Sequence, residues 1–299
     1  MVIPLDKRPR SGPYAGLNAR SAKRFLTQAF TEAGLPFAQE DALEILMDAT
    51  GMDKTSLMLR RAESLSSEVV EILSRHMNRR LGGEPVDHIL GWREFFGRRF
   101  AVSRDVLSPR ADTENLIRGA LSRLAASPSP KILDLGTGSG AIGLTLLAES
   151  ADAVLTATDI SNAALRVAEK NADALNVQNR VTLIQGSWWN AVPQNVTFDI
   201  ILSNPPYITD TGMEILETEV KAYDPDIALR GGRDGLEAYR LIVSGTKSYL
   251  EPGGWLGLEI GYDQADALRD LLDTEFWTAI SVAQDLGGLD RVVWARKQL

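Results

Sequence analysis

The sequence predicts an α/β protein in which a small helical domain and a β-hairpin precede a doubly wound, mostly parallel sheet. Two patterns support this fold class. From residue 131 onward, short apolar runs alternate with segments of helical periodicity, which is typical of parallel βαβ units. Before residue 84, apolar residues recur at helical spacing. A chain of 299 residues has room for two domains.

The N-terminal part reads as a tail followed by helices. Residues 1–17 contain no apolar run, and we expect them to form a disordered tail. Residues 18–84 are predicted to be a helical domain, because glycines interrupt the helical pattern at intervals. Its predicted helices begin near Asn18, at Ala38, at Thr55 and at Ser66, and the last ends at Gly82-Gly83.

Residues 85–112 differ from the helices before them. Two short segments rich in aromatic residues, 91–97 and 99–102, are typical of paired strands. We therefore expect a β-hairpin that links the helical domain to residues 113–299.

The sheet is predicted in residues 113–299. Seven strands are expected, at 132–135, 153–158, 181–184, 198–202, 255–260, 280–283 and 291–295. Helices are expected from Pro109 onward and at 141–148, 162–174, 236–250 and 264–272. Because ligands of such sheets bind at the carboxyl ends of the strands, the loops that follow the strands should carry the chemistry.

Composition excludes several kinds of site. The chain has no cysteine, so disulfides, thiolate catalysis and Cys-zinc sites are excluded, and with two histidines we expect no metal site. The net charge is −8. Residues 1–112 carry 17 Lys and Arg against 15 Asp and Glu, whereas residues 113–299 carry 15 against 25. An acidic sheet domain argues against a long track for nucleic-acid phosphates.

A glycine-rich turn follows the first predicted strand. It comprises Asp134 and the loop Gly136, Thr137, Gly138, Ser139 and Gly140, in which the glycines allow a ligand to approach the backbone closely. The pattern differs from the dinucleotide fingerprint, and the carboxylate of Asp134 would repel a pyrophosphate. It suits a ligand with an ammonium group, such as S-adenosylmethionine.

Two further loops fit a nucleoside. Asp159 ends the next strand and can accept hydrogen bonds from ribose hydroxyls, although an N-cap role for the following helix is an alternative. Trp188 follows the third strand, where it could form a wall for an adenine ring, although a Trp pair can also be simple packing.

Asn204-Pro205-Pro206-Tyr207, at the end of the fourth strand, is the most specific motif. The prolines stiffen the backbone. The Asn204 side-chain oxygen and the Pro205 carbonyl can then accept both hydrogens of one planar NH2 group, while Tyr207 offers an aromatic face. Such positioning favours attack by a weakly nucleophilic amide or aryl-amine nitrogen on an electrophilic methyl group.

These motifs resemble those of the release factor glutamine methyltransferases. The resemblance covers residues 18–297. It includes segments 83–85, 91–95, 106–110 with 113–114, 134–140, 198–208, 231–236 with 239–240, 259–261 with Gln264, and 285–287 with 290–291. An enzyme acting on DNA would share only the glycine loop and the Asn-Pro-Pro-Tyr motif.

The resemblance implies methyl transfer from S-adenosylmethionine to the side-chain amide (N5) of the glutamine in the Gly-Gly-Gln motif of peptide chain release factors. It implies a seven-stranded methyltransferase fold and a substrate-recognition role for residues 18–84. The cofactor-binding set would be Asp134, Gly136, Thr137, Gly138, Ser139, Gly140, Asp159, Trp188 and Asn204. Substrate would bind to Asn204, Pro205, Pro206 and Tyr207, with Asn204, Pro205 and Tyr207 catalytic.

Two departures from the family pattern stand out. Ser187 replaces a usual acid, and Asp224 replaces a usual Glu. The alternatives are an exocyclic-amine methyltransferase acting on DNA or ribosomal RNA, and a non-catalytic binding module. No run of about 18 apolar residues or signal-peptide core is present. We expect a cytoplasmic monomer whose partner is a release factor, with no nucleic-acid or membrane partner.

Overall fold

The computed structural model describes residues 17–125, 127–272 and 274–299. All of the predicted tail except Leu17 lies outside the described residues. The chain divides into two compact units, and the division falls between Leu90 and Gly91. The sequence predicted domain boundaries at residues 84 and 112. The separate roles predicted for the three segments that these boundaries define stay predictions.

The first unit is helical. Its helices are α1 (Ala19–Glu32), α2 (Ala38–Thr50), α3 (Lys54–Leu59), α4 (Ser67–Leu81) and α5 (Val86–Leu90). Polar side chains of Asn18, Asp53 and Ser66 accept backbone hydrogen bonds at the starts of α1, α3 and α4, as expected of N-caps. The short helix α5 was missed in the sequence, because five residues are too few to show a helical period.

The hairpin consists of β1 (Trp92–Phe95) and β2 (Arg98–Ala101), paired antiparallel. Phe95 and Phe100 contact each other edge to face with 5.9 Å between ring centres. Both are buried in one apolar core with Leu116 and Ile117 of the next helix. The hairpin is therefore built into the second unit, and its role as a linker stays a prediction.

The second unit contains a seven-stranded sheet in the order β5-β4-β3-β6-β7-β9-β8. The strands are β3 (Lys131–Leu135), β4 (Val154–Asp159), β5 (Val181–Gln185), β6 (Phe198–Ser203), β7 (Leu250–Glu259), β8 (Trp277–Gln284) and β9 (Asp290–Lys297). Strands β3 to β7 pair in parallel, and β9 runs antiparallel to both of its neighbours. The predicted mostly parallel α/β fold with a preceding helical part and hairpin is confirmed.

The helices of this unit are α6 (Glu114–Leu124), α7 (Ala141–Glu149), α8 (Asn162–Ala174), α9 (Asp210–Ile215), α10 (Thr218–Tyr223), α11 (Asp226–Leu229), α12 (Glu237–Tyr249) and α13 (Ala265–Leu271). They contribute to two apolar cores, of which one contains Leu116, Leu146 and Trp294 and the other Tyr239, Ile242 and Trp277. The order of the strands brings the carboxyl ends of β3 and β6 side by side. The glycine loop and the Asn-Pro-Pro-Tyr motif are thereby neighbours.

One strand begins earlier than predicted. β7 starts at Leu250 rather than at residue 255, and Phe198 pairs with Leu250 before the register shifts so that Ile200 pairs with Trp255. The Pro252-Gly253-Gly254 segment lies inside this strand, where the register with β6 shifts. Among the described residues, no helix has the length and apolar character needed to cross a membrane.

Candidate active site

A cavity of about 570 Å³ opens at the carboxyl ends of the strands in the second unit. Its walls come from the loops after β3, β4, β5 and β6, from a segment before α6 and from the region of α11 and α12. Of the residues predicted to form the site, the cavity is lined by Gly136, Thr137, Gly138, Ser139, Asp159, Trp188, Asn204 and Pro206. Asp134, Gly140, Pro205 and Tyr207 are not among the residues that line it.

The glycine loop adopts backbone conformations that side chains disfavour. Gly136, Gly138 and Gly140 have φ values of +71°, +55° and +82°. At Gly136, an added Cβ would come within 3.8 Å of the Trp188 ring and would fill the space between loop and ring. The loop thus leaves its backbone open to a ligand, as the sequence suggested.

Asp134 holds this loop from beneath. Its fully buried carboxylate accepts hydrogen bonds from the Thr137 hydroxyl at 2.7 Å and the Gly143 amide at 3.1 Å through one oxygen. The other oxygen has no hydrogen-bond partner in the described part of the chain. Burial raises the pKa of Asp134 to about 6, so this carboxylate is costly to keep ionised. Asp134 positions the loop, and its direct contact with a ligand stays a prediction.

Asp159 ties the loop after β4 to the glycine loop. Its two carboxylate oxygens accept from the backbone amides of Gly138 at 2.9 Å and Ser161 at 2.8 Å. Burial is the main cause that raises its pKa, and the backbone hydrogen bonds oppose it. Helix α8 is capped by Ser161 instead, whose hydroxyl accepts from the Ala164 amide. Asp159 lines the cavity, and each of its carboxylate oxygens can accept a further hydrogen bond from a donor such as a hydroxyl.

The two tryptophans after β5 have different roles. Trp189 is held by packing: its indole N–H donates to the Leu241 carbonyl at 2.8 Å, and its ring stacks on Tyr249 with 5.0 Å between centres. Trp188 lines the cavity and has a φ of +47°, which is rare for a bulky residue. Backbone strain of this kind is typical of ligand sites, so it supports the predicted role of Trp188.

The Asn-Pro-Pro-Tyr motif leaves the end of β6 toward the cavity. Asn204 is half-buried and lines the cavity, whereas Pro205 is buried. Tyr207 packs against the core that contains Tyr239 and Ile242, and burial raises the pKa of its phenol to about 12. Tyr207 is therefore a neutral aromatic side chain at every physiological pH.

The motif is fixed by a loop and a side chain for which the sequence predicted no role. The side-chain amide of Gln264 donates to the carbonyls of Tyr207 at 3.1 Å and Gly235 at 3.2 Å. Its oxygen accepts from the Gly261 amide at 3.0 Å. The Gly231 amide donates to the Ile208 carbonyl at 2.8 Å, which pairs the glycine-rich 231–235 segment with the motif.

Glu259 is a second residue without a predicted role. It ends β7 and is 3% exposed. Burial raises the pKa of its carboxyl to about 7, although hydrogen bonding from Thr113 and Asn204 opposes the increase. The signal that could have found Glu259 and Gln264 is their place at the carboxyl end of a strand beside β6. No cluster of three or more potential metal ligands occurs within residues 17–125, 127–272 and 274–299.

We expect Gly235→Ala to displace the Asn-Pro-Pro-Tyr loop. The residue has a φ of +73°, and an added Cβ would lie 2.4 Å from the Tyr207 carbonyl oxygen. The backbone must move, and the Gln264 hydrogen bonds should break. Hydrogen–deuterium exchange at the Ile208 amide, which donates to Leu229, should accelerate about tenfold or more.

Gly288→Ala is the matched control for this variant. Gly288 has a similar φ of +80°, but nothing lies within 4 Å of its added Cβ. Equal exchange at Ile208 in the two variants would contradict the role assigned to the 231–235 segment.

Two solved structures resemble this chain in fold. A methyltransferase from Pyrococcus furiosus matches with a TM-score of 0.50 and 18% identity, covering 76% of this chain and all of that one. The catalytic domain of hMettl16, in complex with the MAT2A 3′UTR hairpin 6, matches with a TM-score of 0.54 and 16% identity over 74% of this chain and 81% of that chain. At these identities the likeness shows the fold alone.

Sequence comparisons define the family. Residues 21–91 match the PrmC N-terminal domain, and residues 117–221 match the methyltransferase small domain. The release factor glutamine methyltransferase of Cereibacter sphaeroides is 44% identical over 280 residues, which cover 94% of this chain and 99% of that protein. The protein of the same name from Neisseria gonorrhoeae is 40% identical over 84% of this chain and 91% of its own length. The chain therefore belongs to the release factor glutamine methyltransferase family.

Proposed function

We propose that this protein transfers the methyl group of S-adenosylmethionine to the side-chain amide nitrogen of the glutamine in the Gly-Gly-Gln motif of peptide chain release factors. The observation that carries this proposal is the Asn-Pro-Pro-Tyr motif beside the glycine loop at one cavity. The relatives named above support the choice of substrate. A cytoplasmic location would follow from a substrate that works in translation.

The cavity fits S-adenosylmethionine. Its volume of about 570 Å³ suits a ligand of that size. The open backbone of Gly136 and Gly138, the Asp159 carboxylate and the Trp188 ring provide surfaces for an amino-acid portion, a ribose and an adenine. The remaining residues of the proposed cofactor set are Asp134, Thr137, Ser139, Gly140 and Asn204. When bound, S-adenosylmethionine supplies an electrophilic methyl group on a sulfonium centre.

The chain's own residues act on the substrate amide. The Asn204 side-chain oxygen and the Pro205 carbonyl would accept its two N–H groups and orient the nitrogen, while the neutral ring of Tyr207 would pack on the amide plane. An amide nitrogen is a poor nucleophile because its lone pair is delocalised, and two acceptors on its hydrogens localise electron density on it. Once the nitrogen has gained the methyl group, its proton is acidic and passes to solvent, so the site needs no strong base.

The helical unit offers a surface for the release factor. A groove of about 520 Å³ has an apolar floor that includes Leu43, Leu46, Leu57 and Met58. Five cations surround it, at Arg20, Lys23, Arg24, Lys54 and Arg61. Among the described residues, none of these five has a carboxylate within ion-pair distance. Such a groove is complementary to an acidic protein segment with apolar side chains, and we assign it to the release factor.

Asn204→Ala should reduce methyl transfer by about 100-fold or more, because one of the two acceptors on the substrate is lost. The assay supplies S-adenosylmethionine with a labelled methyl group, together with either a release factor or nucleic acid. The exposed Asn179→Ala variant is the control. Label that enters only nucleic acid would reject the proposed substrate, and an unchanged rate in Asn204→Ala would reject the role of Asn204.

Asp159→Ala should weaken the binding of S-adenosylmethionine about tenfold or more, because a partly buried acceptor for ribose hydroxyls is removed. Isothermal titration calorimetry measures the affinity, and thermal unfolding checks that the variant is folded. Asp152→Ala, which removes an exposed carboxylate, should bind as the wild type does. Unchanged affinity in Asp159→Ala would refute the assignment.

Reversing two charges of the groove, in Arg20→Glu/Arg24→Glu, should raise the KM for the release factor about fivefold or more and leave kcat close to that of the wild type. The effect should shrink as salt is added, because the groove is exposed. Arg75→Glu reverses an exposed charge of the same unit outside the groove and should change neither constant. Equal KM values for the two variants would rule the groove out as the docking surface.

A further inference from the structure

Glu259 is placed directly beside Asn204. The last register pair of β6 and β7 joins Ser203 to Leu258. The residues that follow this pair, Asn204 and Glu259, therefore lie side by side. The Glu259 carboxyl is 3% exposed, and its Oε2 atom has no hydrogen-bond partner within the described residues. Burying a carboxyl oxygen without a hydrogen-bond partner costs folding free energy. This cost suggests that the Glu259 carboxyl has a function toward Asn204, its neighbour.

The charges around Glu259 do not neutralise it. The cation Arg291 acts on Glu259, but its Nε contacts Asp285 at 2.8 Å and Asp112 at 3.2 Å. Asp112 raises the pKa of Glu259, and Arg291 lowers it. Among the described residues, Tyr207 and Tyr239 also interact with Glu259, and both phenols remain neutral because burial raises their pKa values. The hydroxyl of Thr113 and the amide of Asn204 are the uncharged groups that face the carboxyl.

The side-chain amide of Asn204 has two ends with opposite functions. For the proposed reaction, its oxygen must face the substrate amide, so its NH2 group must point away and needs an acceptor there. If the amide were turned over, its hydrogens would meet the hydrogens of the substrate amide. A carboxylate on the side of Asn204 away from the substrate favours this orientation of the amide, because the carboxylate accepts a hydrogen bond from the NH2 group and repels the amide oxygen.

We propose that ionised Glu259 is a positioning residue that accepts a hydrogen bond from the Asn204 side-chain NH2 and so directs the Asn204 oxygen toward the substrate amide. This inference rests on the proposed function. Protonation of Glu259 removes the charge that selects one orientation, so methyl transfer should fall as the pH drops through about 7, the pKa to which burial raises this carboxyl. Above that pH the carboxylate form dominates and the rate should level off.

The first test needs no substrate. In the wild-type protein with ¹⁵N-labelled asparagine, the side-chain NH2 resonances of Asn204, assigned from their absence in Asn204→Ala, should move with pH and show a midpoint near 7. In Glu259→Gln they should not titrate in this range. Resonances that stay fixed in the wild type, or that still titrate in Glu259→Gln, would overturn the proposal.

The second test is kinetic. Glu259→Gln should lower kcat about tenfold or more and remove the acidic limb of the pH profile, with the affinity for S-adenosylmethionine within about twofold of the wild type. Glu251→Gln, at the opposite end of the same strand, should keep the wild-type kcat and pH profile. A wild-type profile in Glu259→Gln would contradict the role of Glu259. A wild-type protein that methylates no release factor would instead refute the proposed function, and the resonance titration would still decide whether Glu259 holds Asn204.

Discussion

The parallel pairing of β3 with β6 sets the distance between the two loops of the site, and a buried hydrogen bond joins the strands at their carboxyl ends. The Ser203 hydroxyl donates to the Leu135 carbonyl at 2.7 Å, and both residues are fully buried at the adjacent ends of β6 and β3. The next residue on β3 is Gly136 and the next on β6 is Asn204. The proposed cofactor loop and the proposed substrate loop therefore start from two points that this bond holds together.

Beyond this bond, rigidity comes from residues that never line the cavity. Asp134 fixes the glycine loop, and Gln264 fixes Tyr207. Asp134 accepts hydrogen bonds from Thr137 and Gly143, and the Gln264 amide donates to the Tyr207 and Gly235 carbonyls. A reaction that depends on two acceptors around one weak nucleophile benefits from such preorganisation, because a loop that moves by about an ångström loses the alignment. Burying the carboxylates of Asp134 and Glu259 lowers the stability of the fold. Both lie at the site, where function gives a reason to retain them.

The sequence predicted those elements and motifs in which local structure requires a particular type of residue. Continuous apolar runs located the inner strands because both faces of a parallel sheet are buried. The glycine loop and the Asn-Pro-Pro-Tyr motif were found because strand ends are where ligands bind. The short helices α9 to α11 were missed, since four to six residues cannot display a helical period. Gln264 and Glu259 gained a meaning only when the sheet placed β7 beside β6, which is a tertiary relation that no local pattern encodes.

The most direct measurement is a crystal structure of the protein with S-adenosylhomocysteine and a release factor. We expect the side-chain nitrogen of the Gly-Gly-Gln glutamine to lie within about 3.2 Å of both the Asn204 side-chain oxygen and the Pro205 carbonyl oxygen. Two results would contradict this expectation: a glutamine amide nitrogen that is hydrogen-bonded to other groups, or a glutamine that lies outside the cavity lined by Gly136.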